Sequence, residues 1–153
     1  DRFLFKHVLG YPTREQEIDI VNRHGAKSGS STPEQMGIKS LVSKEQIDAA
    51  VAAVASVKLT DEVTHYVVDL VRGTRNNPLF ETGASPRAAA MISAASRAHA
   101  ALDGRDFVIP DDVKSIALPA LRHRAILSPA AEIEGRTPDE LIGQIIEQTS
   151  APR

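Results

Sequence analysis

Gly83-Ala84-Ser85-Pro86-Arg87, running directly into the alanine-rich stretch Ala88 to Leu102, decides the fold. Ser85 is a favoured N-cap, Pro86 suits the first helical position, and alanine has the highest helix propensity of any residue. Gly104 follows as a stop. Small side chains on most faces let neighbouring helices approach closely, so we read this as the central helix of a bundle. Arg87 falls in the first turn, where the helix dipole disfavours a cation by about 0.3–1 kcal/mol. Two readings stay open for it. It is either a solvated arginine whose small penalty is tolerated, or a guanidinium that joins the free amides of the helix start to seat an anion such as phosphate.

Helical signals continue on both sides. Thr60 opens a helix in which Val63, Tyr66, Val67, Leu70 and Val71 follow the i, i+3, i+4, i+7, i+8 stripe of a half-buried face. Before it, Thr13 with Gln16 and Ser43 with Gln46 each form a capping box. The inner faces these imply carry Ile18 and Val21 in one helix and Ile47, Ala50, Val51 and Val54 in the other. His24 to Gly37, between the two, contains Lys27-Ser28-Gly29-Ser30-Ser31 and reads as a mobile loop within the domain. After the central helix, Pro110 begins another, with Asp112 able to cap and Val113, Ile116, Ala117, Ala120 and Leu121 facing inward. Thr137-Pro138-Asp139-Glu140 opens the last, burying Leu141, Ile142, Ile145 and Ile146. Arg2 to Leu9 reads as a short strand, and Ile126 to Gly135 as irregular chain or a hairpin partner for Phe107 to Ile109. The expected fold is all-α, a helical bundle with a strand remnant at its start and at most a small β-hairpin.

Composition narrows the function. A chain of 153 residues suits one domain that folds alone. Its net charge of −2 argues against a general nucleic-acid or anionic-membrane surface. No cysteine is present, which excludes a disulfide framework and thiolate-ligated zinc. The five histidines are scattered with no i, i+4 pair, so no metal site is expected. No apolar run reaches the roughly 20 residues needed to span a bilayer, and cytoplasm is the default expectation. The first residue is not methionine, which fits a fragment of a longer product. Asp61-Glu62 and Asp111-Asp112 occupy predicted first turns, where acids belong for dipole reasons, so neither is read as a catalytic pair.

Several short motifs then occur in a definite order. Asp1-Arg2-Phe3-Leu4-Phe5 and Gly10-Tyr11-Pro12 precede Thr74-Arg75, the Gly83 to Arg87 segment, Pro110-Asp111-Asp112-Val113 and Leu121-Arg122-His123-Arg124. Over nearly the whole chain this order resembles the carboxy-terminal part of a MoxR-family AAA+ ATPase. The resemblance implies that residues 1–10 are the remnant of the last core strand and 11–153 a helical lid domain. It implies that Arg2 is an arginine finger reaching a neighbouring subunit's nucleotide, and that Arg87 is the sensor-2 arginine of the lid, with Ser85 beside it. Tyr11 and Pro12, at the junction, either stack on the adenine or form a hinge turn with Tyr11 packed on the first helix. The resemblance further implies ATP and Mg²⁺ in the full-length protein, a hexameric ring in which the lid contacts its own core and neighbouring subunits, and chaperone-like work on partners such as von Willebrand factor A domain proteins.

The residues also limit that reading. No G-x-x-x-x-G-K-[ST] loop occurs, nor a hydrophobic strand ending in an acidic pair, so this chain alone is expected neither to bind ATP and Mg²⁺ nor to hydrolyse ATP. A lid from another AAA+ branch is a close variant. The rival from a different class is a stand-alone helical protein-interaction module without nucleotide function. A helix-turn-helix DNA binder is disfavoured by the acidic balance and the lack of a basic recognition helix. His123-Arg124 is explained most simply by the preference for cations at a helix C-terminus.

Overall fold

The structure is a computed structural model that describes residues 2–25 and 32–152. Of the His24 to Gly37 stretch expected as a mobile loop, residues 26–31 lie outside the described residues. The chain divides into two compact units, Val8–Asp48 and Asp1–His7 with Ala49–Arg153.

In the smaller unit, the Thr13 capping box forms as expected and starts α1 (Arg14–His24). The Thr13 amide donates to Gln16 Oε1 at 2.9 Å, and the Gln16 amide donates to Thr13 Oγ1 at 3.4 Å. Ser43 and Gln46 repeat the arrangement at the start of α2 (Lys44–Ser56), which runs across the division between the units. The inward faces expected of these helices are not inward. Neither helix has a buried residue, and Ile18, Val21, Ile47 and Val51 are all exposed. An amphipathic stripe states which face would be covered, but not that the chain supplies the cover.

The larger unit is built on α3 (Asp61–Asn76), whose Val63, Tyr66, Val67, Leu70 and Val71 are buried as the stripe predicts. β1 (Phe80–Thr82) leads into α4 (Pro86–Leu102), which buries Ala88, Ile92, Ala95, Ser96 and Ala100 and packs against α3 and α5 (Pro110–Leu121). β2 (Ile126–Leu127), α6 (Pro129–Ile133) and α7 (Pro138–Gln148) complete the unit. α7 buries Leu141, Ile142 and Ile145 against α3 and α5. Gly73 permits the close approach of α7, since a Cβ there would lie 2.7 Å from Ile145 Cγ2. No described helix is long and apolar enough to cross a membrane.

The all-α reading holds, with three local corrections. Residues 2–9 form no ladder. A strand needs a partner edge, and the two-stranded sheet among the described residues joins β1 to β2, antiparallel, with Phe80 opposite Leu127. The hairpin partner expected for Phe107 to Ile109 is therefore taken by β1, and Phe107 instead makes a single parallel bridge to Lys58. Within the stretch expected to be irregular, Ser128 caps α6 by accepting from the Ala131 amide at 3.4 Å, with Pro129 in the first turn. The Ser-Pro signal was present, but a helix of 5 residues is too short to show periodicity.

Candidate functional site

The loop entering α4 is fixed from beneath by α3. Thr74, fully buried, donates its hydroxyl to the Val71 carbonyl at 2.7 Å and accepts from the Ala84 amide at 2.9 Å. Gly83 lies against Arg75, where an added Cβ would sit 2.6 Å from Arg75 Cγ and 2.7 Å from its Cα and N. Only glycine allows that approach. The β1–β2 pairing and a bond from the Ser128 amide to the Leu79 carbonyl at 2.8 Å bring this loop beside the chain that leaves α5. Ser85 takes the N-cap position with φ −79° and ψ 165°, and its carbonyl accepts from the Ala88 amide at 2.9 Å. Its side chain makes no capping bond, contrary to expectation. Pro86 stands at the helix start, and Arg87 is exposed in the first turn.

The chain leaving α5 supplies the opposite wall. Arg124 is 7% exposed, and its guanidinium donates to the carbonyls of Leu4 (2.9 Å), Phe3 and Ala120. His123 Nε2 lies 3.1 Å from the Phe3 carbonyl oxygen, and the Lys6 amide donates to the Pro119 carbonyl at 3.0 Å. The expectation that these cations serve the carboxy end of a helix is met in part by the Ala120 bond. Their reach to the start of the chain was not legible, because nothing in Leu121-Arg122-His123-Arg124 indicates a partner some 120 positions away.

Between these walls lies a cleft of about 350 Å³, lined by Arg2 and Phe3, by Thr82, Gly83 and Ser85, and by His123 and Arg124. Burial pushes the Arg124 guanidinium below its ordinary pKa, and the positive charge of Arg87 adds to the shift. Cations that repel one another at the rim of a cleft favour an anion within it. By contrast, a cleft of about 330 Å³ lined by Gly73, Asn76, Asn77, Ile145, Gln148 and Thr149 has no ionisable side chain among the described residues. Of the residues singled out from sequence, Arg2 and Ser85 line the first cleft, while Arg87 lies in the helical turn beside it. Tyr11 and Pro12 belong to the smaller unit. Tyr11 is 100% exposed there, so it is not packed on the first helix.

A second polar cluster joins the end of α4 to the start of α5. Asp112, 1% exposed, accepts from the Ile109 amide at 2.8 Å, from both guanidinium nitrogens of Arg105 at 2.7 and 2.5 Å, and from His99 Nδ1 at 2.7 Å. Burial alone would raise the Asp112 pKa, but Arg105, the amide and His99 together hold it down at about 2. Arg105 also pairs with Asp103 at 3.0 Å, and its own pKa is raised by both carboxylates. His99, Asp103 and Asp112 present ligand atoms within 4.8 Å of one another, a grouping that spacing along the sequence does not show. The guanidinium already supplies the positive charge there. The cluster is a structural tie, and the capping expected of Asp112 is one part of it.

Comparison with known proteins places these features in a class. Residues 72–145, from the end of α3 to α7, match the AAA lid domain family. The chain is 32% identical over 152 residues to the uncharacterized protein YeaC of Bacillus subtilis, covering 99% of this chain and 46% of that protein. It is 33% identical over 162 residues to chaperone MoxR1 of Mycobacterium tuberculosis, covering all of this chain and 41% of that one. A crystal structure of a candidate ATPase from Cytophaga hutchinsonii superimposes with a TM-score of 0.80 at 27% identity, over 99% of this chain and 47% of that one. The chain is thus similar to the lid region of MoxR-like AAA+ ATPases, and it spans less than half the length of the relatives it matches.

Proposed function

We propose that this lid couples ATP binding and hydrolysis, in a longer AAA+ protein, to chaperone-like remodelling of partner proteins. The observation that carries the reading is Arg87, exposed in the first turn of α4 beside a cleft that the helix-entry residues Gly83 and Ser85 line. A guanidinium at a helix start fits the phosphate end of a nucleotide, since arginine forks match phosphate oxygens. It does not fit Mg²⁺, because no carboxylate among the described residues lines the cleft. ATP would bring the scissile phosphoanhydride and Mg²⁺ its charge neutralisation, both held chiefly by residues outside this chain. Within a subunit, Arg87 would report nucleotide state to the lid, while Arg2 would act on a neighbouring subunit's nucleotide in a hexameric ring. Tyr11 and Pro12 would contact the adenine. Von Willebrand factor A domain proteins are the partners this reading favours, in the cytoplasm.

The test is Arg87→Ala in the longer protein. Arg87 is exposed and supports little packing, so the lid should stay folded while hydrolysis falls about tenfold or more, the scale of a lost transition-state donor. Equal rates in the two proteins would overturn the assignment. One observation favours the interaction-module reading, namely the exposed apolar faces of α1 and α2. On that reading Arg87→Ala changes nothing, and Ile18→Asp or Ile47→Asp abolishes partner capture.

A further inference from the structure

We propose that Arg124 is a positioning residue that latches the segment bearing Arg2 onto the carboxy end of α5. The functional half of this inference rests on the role proposed for Arg2; the latch itself does not.

Residues 2–7 have neither of the usual sources of order. They form no ladder, and little of the segment is buried: Leu4 is half-buried, while Phe3 is 82% exposed and Phe5 44%. What fixes them is polar. The Arg124 guanidinium donates to two successive carbonyls, Phe3 and Leu4, and also to Ala120 in the last turn of α5. His123 adds a bond to the Phe3 carbonyl, and the Lys6 amide returns one to Pro119. A planar fork with five donors can span acceptors on both sides of a junction, which a lysine ammonium, a compact point charge, does less well. Arg124 is itself almost fully buried, so the geometry is held from both ends. Arg2 is one residue from the first carbonyl of the latch and lines the same cleft as Arg124. Its guanidinium therefore follows the lid.

The Lys6 amide provides a direct readout, because its bond to Pro119 forms only when the segment is docked. Hydrogen exchange is compared in the 153-residue chain and its Arg124→Ala and Arg124→Lys variants. Exchange at Lys6 should be about tenfold faster or more in Arg124→Ala and intermediate in Arg124→Lys, with α3 and α4 amides unchanged. Unchanged Lys6 exchange in a folded variant would overturn the latch, as would equal acceleration at Lys6 and in α4. If Arg124→Ala does not fold, Arg124→Lys is judged by the same two criteria. In the longer protein, Arg124→Lys should lower kcat for ATP at unchanged KM, alongside Arg2→Ala as a reference. A fall in kcat for Arg2→Ala but not for Arg124→Lys would overturn the positioning role. No fall in either would overturn the role of Arg2 and leave the latch to be decided by exchange.

Discussion

Gly83 and Thr74 set the position of the α4 start more than any residue within that helix. Gly83→Ala would place a methyl group under 3 Å from the Arg75 backbone, which cannot move without shifting the end of α3. Overpacking of this kind costs about 1–3 kcal/mol. Thr74→Val keeps the shape but leaves the Ala84 amide without its acceptor, a loss of about 1–3 kcal/mol for a buried donor. Urea unfolding of both variants should show lower midpoints at unchanged slope; a midpoint equal to the parent's would show that the loop relaxes freely. Gly83 was singled out from sequence as part of a helix-entry motif. Its role as a close-approach glycine was not visible, because the backbone it must clear belongs to another helix.

Between elements, the Asp112 cluster ties α4, the following loop and α5 into one piece. Its contribution depends on pH with a definite sign. The folded-state pKa of about 2 lies below the ordinary 3.8, so the stabilisation is fully present above about pH 4 and is lost as pH falls through 2. A shift of that size corresponds to about 2 kcal/mol. Asp112→Asn should therefore be less stable than the parent at pH 7 and should have a flatter stability profile between pH 4 and 2, measured by thermal unfolding. Parallel acid limbs in the two proteins would refute the assignment. The sequence showed a capping acid at the start of a helix. It could not show that Arg105 and His99 converge on it, because that depends on how α4 meets α5.

Across the whole molecule, the proposed division of labour between the arginines is testable in assembled rings. If Arg2 acts on a neighbour's nucleotide, mixing Arg2→Ala subunits with subunits that cannot bind ATP should restore some hydrolysis where an intact Arg2 meets an intact site. Summed activities of the two variants despite proven co-assembly would exclude action across the interface. The loss in Arg2→Ala rings should fall on kcat more than on ATP affinity, because the charge that a finger stabilises develops mainly in the transition state.

The sequence by itself determined the helices and their starts, apart from the five-residue α6. Capping boxes at Thr13 and Thr137, the cap at Thr60 and the alanine run after Pro86 act through bonds and propensities within a few residues, and all appear where the sequence places them. The order of short motifs also identified the lid class. Pairings between distant segments were decided only by the tertiary structure. β2 chose β1 over Phe107 to Ile109, α1 and α2 kept their apolar faces exposed, and Arg124 reached across the chain to Phe3 and Leu4. Each of these outcomes depends on which surfaces meet when the helices pack, and neither periodicity nor capping chemistry carries that information.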